Sequence, residues 1–177
     1  MEMYKQDLLQ RLYNLDEDAS LLYTSEIRFR LIIVGGGALI VRDVIARATS
    51  DIDVLCNADK KFVELMESYD INCRVHAYEN CFPYNYEDRI KLVWSGKNVD
   101  YYTASLEDIV ISKLDSTARP EDLDDARKVA EYIDWEKLEY LARHPDELKS
   151  STLNDSTYQN FLANYEEYER RYRPCRD

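Results

Sequence analysis

The stretch from Leu31 to Leu55, LIIVGGGALIVRDVIARATSDIDVL, constrains the fold more than any other part of the chain. An apolar run stopped by three consecutive glycines reads as a buried strand ending in a turn where the backbone must approach something closely. ALIVRDVIARA then resumes with helical spacing, and the acid–apolar alternation from Asp51 to Cys56 reads as a second strand. Residues two apart on a strand project to one face, so Asp51 and Asp53 would hold their carboxylates side by side. That pairing is unfavourable unless a hard cation, Mg²⁺ or Mn²⁺, relieves the repulsion. The amides of Gly35, Gly36 and Gly37, at a helix start, supply the complementary half by donating to phosphate oxygens. A metal-bound nucleoside triphosphate satisfies both halves.

Other glycine motifs fit less well. A Walker A loop needs Gly-Lys-Ser/Thr in the glycine turn, and here Gly96-Lys97 falls instead in a later turn. A dinucleotide fold needs G-x-G-x-x-G with repeated βαβ units, and Ile40 occupies the third glycine position. A plainer alternative also stays open, in which the glycines only permit a tight turn and the acids face solvent.

Around this stretch the pattern predicts a small α+β domain with a mixed sheet, an N-terminal helix and a helical C-terminal half. Met3 to Leu15 forms one apolar helical stripe that DEDAS would stop, and KKFVELMESY makes a helix after the second strand. Arg74 to Tyr78 reads as a strand, and Arg89 to Trp94 and Val99 to Thr103 flank SGKN as a hairpin. From Ser105 onward the pattern is helical: SLEDIVISKL opens on a Ser cap, RPEDLDDARKVAEYI on a Pro, DWEKLEYLARH follows, and a last helix covers Thr157 to Tyr172. At 177 residues the chain is expected to form a single domain, with a nucleotide-binding core over about 20–104 and a helical part over 105–177 that completes the site.

The net charge of −12 argues against a broad electrostatic grip on nucleic acid, so any RNA partner must be met locally. The apolar run Leu31 to Val34 is far short of a membrane span, and the acidic opening lacks the basic start of a signal peptide. The expectation is a cytoplasmic protein with no membrane partner. Cys56, Cys73, Cys81 and Cys175 contain no CxxC pair and read as reduced, packed thiols, and the Cys73, His76, Cys81 spacing matches no common zinc pattern. The chain has 15 tyrosines, and those in the tail YQNFLANYEEYERRYR fit an amphipathic helix with wet hydroxyls better than a base-stacking surface.

VGGGAL followed by RATSDIDVL resembles the signature of the minimal nucleotidyltransferases of the DNA polymerase β-like superfamily, and within it the DUF6036 nucleotidyltransferases and the AbiEii-like toxins. Those share Gly-Gly-x-Ala-Leu, Arg-x-Thr or Arg-x-Ser before the acid pair, and a later Lys-Leu followed by Arg-x-Lys-Asp-x-x-Asp. Here the later block, SKLDSTARPEDLDD, supplies Lys113, Arg119, Asp122 and Asp125, with Glu121 where relatives often carry Lys. The resemblance covers about residues 29 to 130.

It implies transfer of a nucleoside monophosphate from an NTP to an acceptor hydroxyl. Asp51 and Asp53 would hold Mg²⁺, Lys113 would meet the triphosphate, and Arg47 and Thr49 would orient the acid strand or touch phosphate. A third carboxylate is usual in the superfamily. Asp100 in NVDYYT is the candidate, with Glu107 and Asp108 behind it, although an ordinary hairpin-edge charge would look the same. Asp122 reads either as a base or ligand organiser or as a helix N-terminal acid. Three roles follow: a toxin that modifies tRNA or protein and is paired with a cognate antitoxin, a catalytically silent nucleotide- or partner-binding member, or an antibiotic-modifying transferase for a small cationic substrate.

Overall fold

A computed structural model describes residues 3–73, 82–115, 119–144 and 155–175. The chain divides into two compact units, Met1–Val75 with Ile90–Ala104, and His76–Arg89 with Ser105–Asp177.

The first unit is built on a five-stranded mixed sheet: β1 (Phe29–Ile33), β2 (Ile52–Cys56), β3 (Ile71–Cys73), β4 (Lys91–Ser95) and β5 (Val99–Thr103), in the order β3-β2-β1-β5-β4. β1 runs antiparallel to β2 and parallel to β5, β3 is parallel to β2, and β4 and β5 form the expected antiparallel hairpin. This is the α+β architecture that the sequence pattern predicts. α1 (Lys5–Leu22), α2 (Gly35–Val41) and α3 (Lys60–Glu67) complete the unit. Leu8, Leu12, Leu15 and Ala19 of α1 are fully or almost fully buried, and the buried Tyr101 hydroxyl donates to Leu12 O at 2.6 Å.

Two boundaries differ from expectation. DEDAS does not end α1, because its acids find partners within the unit: Asp16 accepts backbone amides, Glu17 pairs with Lys97 at 2.7 Å and Asp18 accepts the Tyr69 hydroxyl at 2.6 Å. The helix after the glycines stops at Val41 rather than running through ALIVRDVIARA, since Asp43 takes φ 59° and the Val44 amide donates back to Leu39 O at 2.9 Å. This left-handed end satisfies the last carbonyls as a Schellman turn does. The predicted strand Arg74 to Tyr78 lies outside the described residues; β3 ends just before it.

The second unit contains α4 (Leu106–Lys113), α5 (Pro120–Val129), α6 (Trp135–Arg143) and α7 (Asp155–Tyr172). Ser105 caps α4 by accepting the Asp108 amide at 3.1 Å, and Asp134 caps α6 by accepting the amides of Glu136 and Lys137. Two of the tail tyrosines are core residues rather than wet ones: Tyr165 and Tyr168 are buried, and the Tyr168 hydroxyl donates to Ala126 O at 2.7 Å, while Tyr158 and Tyr172 are half-buried. Among the described residues no helix is long and apolar enough to cross a membrane.

Candidate functional site

The glycine turn and the aspartate pair meet through the sheet ladder. Ile33 pairs with Val54, and the Val34 amide continues the ladder by donating to Asp53 O at 3.0 Å. Gly35 therefore begins α2 at the residue next to the one paired with Asp53. It takes φ 58°, a left-handed conformation that glycine adopts without steric cost. Gly37 lies against the sheet, where a Cβ would meet Ile33 and Ile52 side-chain carbons at 3.4 and 3.7 Å. The first-turn amides of Gly35, Gly36 and Gly37 have no carbonyl four residues back inside the helix.

Asp51 and Asp53 are both half-buried, and Asn72 defines their shared face. Asn72 on β3 is the register partner of Asp53, and cross-strand partners project to the same side. Its Nδ2 donates to Asp51 Oδ2 at 3.0 Å. One neutral amide thus binds Asp51 from the strand position opposite Asp53. Thr49 supports Asp51 from the preceding segment. Thr49 exchanges backbone hydrogen bonds with Met3 at 2.7 and 2.9 Å, and its hydroxyl donates to Asp51 O at 3.0 Å, which marks it as a residue that positions the acid strand. Arg47 lies against the glycine turn, since a Cβ placed on Gly36 would come 2.7 Å from its Nη2.

Asp100 is not brought to this site. The β1–β5 register places Ala104 in line with Val34 and Asp53, whereas Asp100 pairs with Arg30, four residues toward the other end of the strand. At about 3.3 Å per residue that is roughly 13 Å away. Its carboxylate is held by Arg28 and Ser95. Partial burial raises its pKa, but those two partners outweigh the burial and leave it lowered. The sequence parity puts Asp100 on the correct face; the ladder puts it at the wrong end. Glu107 and Asp108, in the second unit, have structural partners. Glu107 accepts the Asp134 amide at 3.0 Å and pairs with Lys137 at 3.2 Å. The fully buried Asp108 takes a two-pronged Arg89 contact at 2.7 and 3.0 Å, and its burial pushes its carboxyl up against that pairing.

The second block forms its own cluster within the helical unit. Lys113, 5% exposed at the end of α4, sits 3.0 Å from both Asp122 and Asp125 of α5, and Asp125 is 1% exposed. Asp122 is also the N3 residue of α5, accepting the Arg119 amide at 3.2 Å and Nε at 3.0 Å. Burial raises the Asp122 carboxyl, but Arg119 and Lys113 outweigh it and hold it down at about 2. Locally Asp122 is a helix-start acid, as one of its two sequence readings has it, and a partner of Lys113.

The model of a nucleotidyltransferase family of unknown function, DUF6036, matches residues 10–173. The chain belongs to this family. No curated protein and no solved structure matches.

For a nucleotidyltransferase, the donor chemistry at the acid pair fits a hard dication. The two carboxylates share a face, and among the described residues no group of three or more His, Cys, Asp or Glu is arranged to hold a metal. Mg²⁺ uses one or two protein carboxylates and takes its remaining ligands from substrate phosphates and water, so two are sufficient. Asn72 is the residue that sequence reasoning missed. It lies outside the acid motif, and only the β2–β3 register brings it to Asp51.

Proposed function

We propose that the protein is a metal-dependent nucleotidyltransferase that moves a nucleoside monophosphate from an NTP to an acceptor hydroxyl, with pyrophosphate leaving. One observation carries this reading: the Val34 amide donates to Asp53 O, so the glycine turn that begins α2 adjoins the strand carrying Asp53 and, one residue before that strand begins, Asp51. Phosphate oxygens are met by the glycine amides, and the triphosphate's cation by the two carboxylates. Magnesium or manganese, when bound, supplies charge withdrawal from the α-phosphate and activation of the attacking oxygen. Arg47 adds a guanidinium at the glycine turn, where the missing Gly36 side chain leaves it room. Thr49 and Asn72 hold Asp51 through its carbonyl and its carboxylate respectively. Lys113 and Asp122 are proposed to serve the same reaction, as a cation for triphosphate oxygens and as a base. Family membership supports the reaction class. The resemblance to AbiEii-like toxins supports a toxin of a toxin–antitoxin pair, with tRNA or protein as acceptor.

The test is calorimetric titration of Mg·NTP. Asp51→Asn with Asp53→Asn should abolish binding while leaving the melting temperature unchanged or raised, because two adjacent charges are removed. Gly36→Ala should weaken binding at least tenfold, about 1.4 kcal/mol, with the fold intact, since the added methyl meets only the movable end of Arg47. Wild-type affinity in the double variant would overturn the assignment.

A further inference from the structure

Cys56 and Cys73 stand apart from the acid pair and have no part in the proposed reaction. They lie at the ends of two neighbouring parallel strands, with Cys73 in register with Val54. Cys56 is an odd number of residues from Asp53, and Cys73 follows Asn72, so both thiols project to the sheet face opposite the acids. Their sulfurs are 2.9 Å apart, and the Cys73 thiol also donates to Cys56 O at 3.7 Å. Both are free thiols and only half-buried. A disulfide bond is about 2.05 Å long, so covalent closure asks for a sulfur movement of about 0.9 Å.

We propose that Cys56 and Cys73 form an oxidisable dithiol, a covalent modification site that reacts with small-molecule disulfides and closes to a cross-strand disulfide. The Cys56 S–H is directed at the Cys73 sulfur, and burial first, then the contact with Cys73, pushes the Cys56 thiol up and keeps it protonated. Reaction begins at Cys73, the sulfur toward which the Cys56 S–H is directed. Its thiolate attacks one sulfur of the reagent disulfide RSSR, forming a mixed disulfide and releasing one thiolate, RS⁻, which takes up the proton lost by Cys73. Cys56 then loses its proton and attacks the Cys73 sulfur, expelling a second RS⁻ that takes up that proton. Two protein thiols are oxidised, and one RSSR is reduced to two RSH. Such exchange depends on access and on an adjacent resolving thiol, and this pair has both.

The full chain, as wild type and as Cys81→Ser, is treated with excess oxidised glutathione under native conditions, quenched with acid, alkylated, digested and analysed by mass spectrometry. Exposed Cys175 reports that the reagent is active. The expected result is a Cys56–Cys73 linked peptide lacking two hydrogens, reversed by dithiothreitol, in both proteins. In Cys56→Ser, with the resolving thiol gone, Cys73 should instead retain one glutathione. The wild-type peptide map keeps the test independent of whether any variant folds. Cys175 modified while Cys56 and Cys73 both remain alkylatable, or each carrying a separate glutathione, would overturn the proposal.

Discussion

Lys113 is nearly buried with two carboxylates at 3.0 Å, so it is not a solvated surface lysine. Removing it takes away the cation shared by Asp122 and Asp125, the latter itself 1% exposed. Breaking a buried ion pair from one side costs about 3–5 kcal/mol. Lys113→Met should lower the unfolding free energy from urea titration by that amount with the slope unchanged, and Lys113→Met with Asp125→Asn should recover at least half of the loss. Turnover of Lys113 variants is therefore to be read at temperatures well below their melting points. Asp122 gives a pH signature. Its folded pKa is depressed from 3.8 to about 2, so its stabilisation is complete above the unfolded value and disappears as pH falls through the folded one. The stability difference between wild type and Asp122→Asn, followed by urea unfolding, should be constant above about pH 5 and shrink steadily between pH 4 and pH 2.

Among the elements, α1 and the β4–β5 hairpin are joined by one carboxylate. Asp16, 1% exposed, accepts the amides of Lys97, Asn98 and Val99 at 2.7, 2.8 and 2.8 Å, so it organises the SGKN turn from a helix some 80 residues earlier. Gly96 is required next to it, because a Cβ there would lie 2.4 Å from Asp16 Cγ. Asn98 continues the network, its Nδ2 donating to Thr24 O and Ile27 O at 2.8 Å each. Asp16→Ala strands buried amides and should cost at least about 3 kcal/mol. Gly96→Ala should cost a similar amount by displacing the same carboxylate, and the two together should cost clearly less than their sum, since they break one interaction. Urea unfolding of the three variants measures this. Strands β1, β2, β4 and β5, the hairpin and the helix caps were legible in the sequence because period, turn residues and capping acids act locally, whereas β3 was not. The continuation of α1 through DEDAS was not. Three acids in a row read as a polar stop until their partners at Lys97, Tyr69 and the hairpin amides are known.

For the whole molecule the acidic balance sets what an acceptor must bring. At −12, an RNA acceptor depends on a few local cations and should be strongly salt-sensitive, whereas transfer to a protein hydroxyl need not be. Incubation with α-labelled NTPs, Mg²⁺ or Mn²⁺, and separate pools of tRNA, protein and aminoglycosides should place label on tRNA or protein. RNA labelling should fall steeply between 50 and 200 mM salt. Label confined to aminoglycosides would favour the antibiotic-modifying role, and label nowhere the silent binding role. The amino-acid order alone determined the α+β class, the glycine turn, the aspartate pair and the resemblance to a nucleotidyltransferase family, because each is written in residues close together in the chain. Tertiary structure decided which distant groups meet. Asn72 reaches Asp51 through the β2–β3 register, Asp100 is carried to the far end of β5 by the β1–β5 ladder, and Lys113 is enclosed by two aspartates. Strand register and helix docking set these positions, and hydrogen-bond ladders between distant segments leave no local period in the sequence from which they could be read.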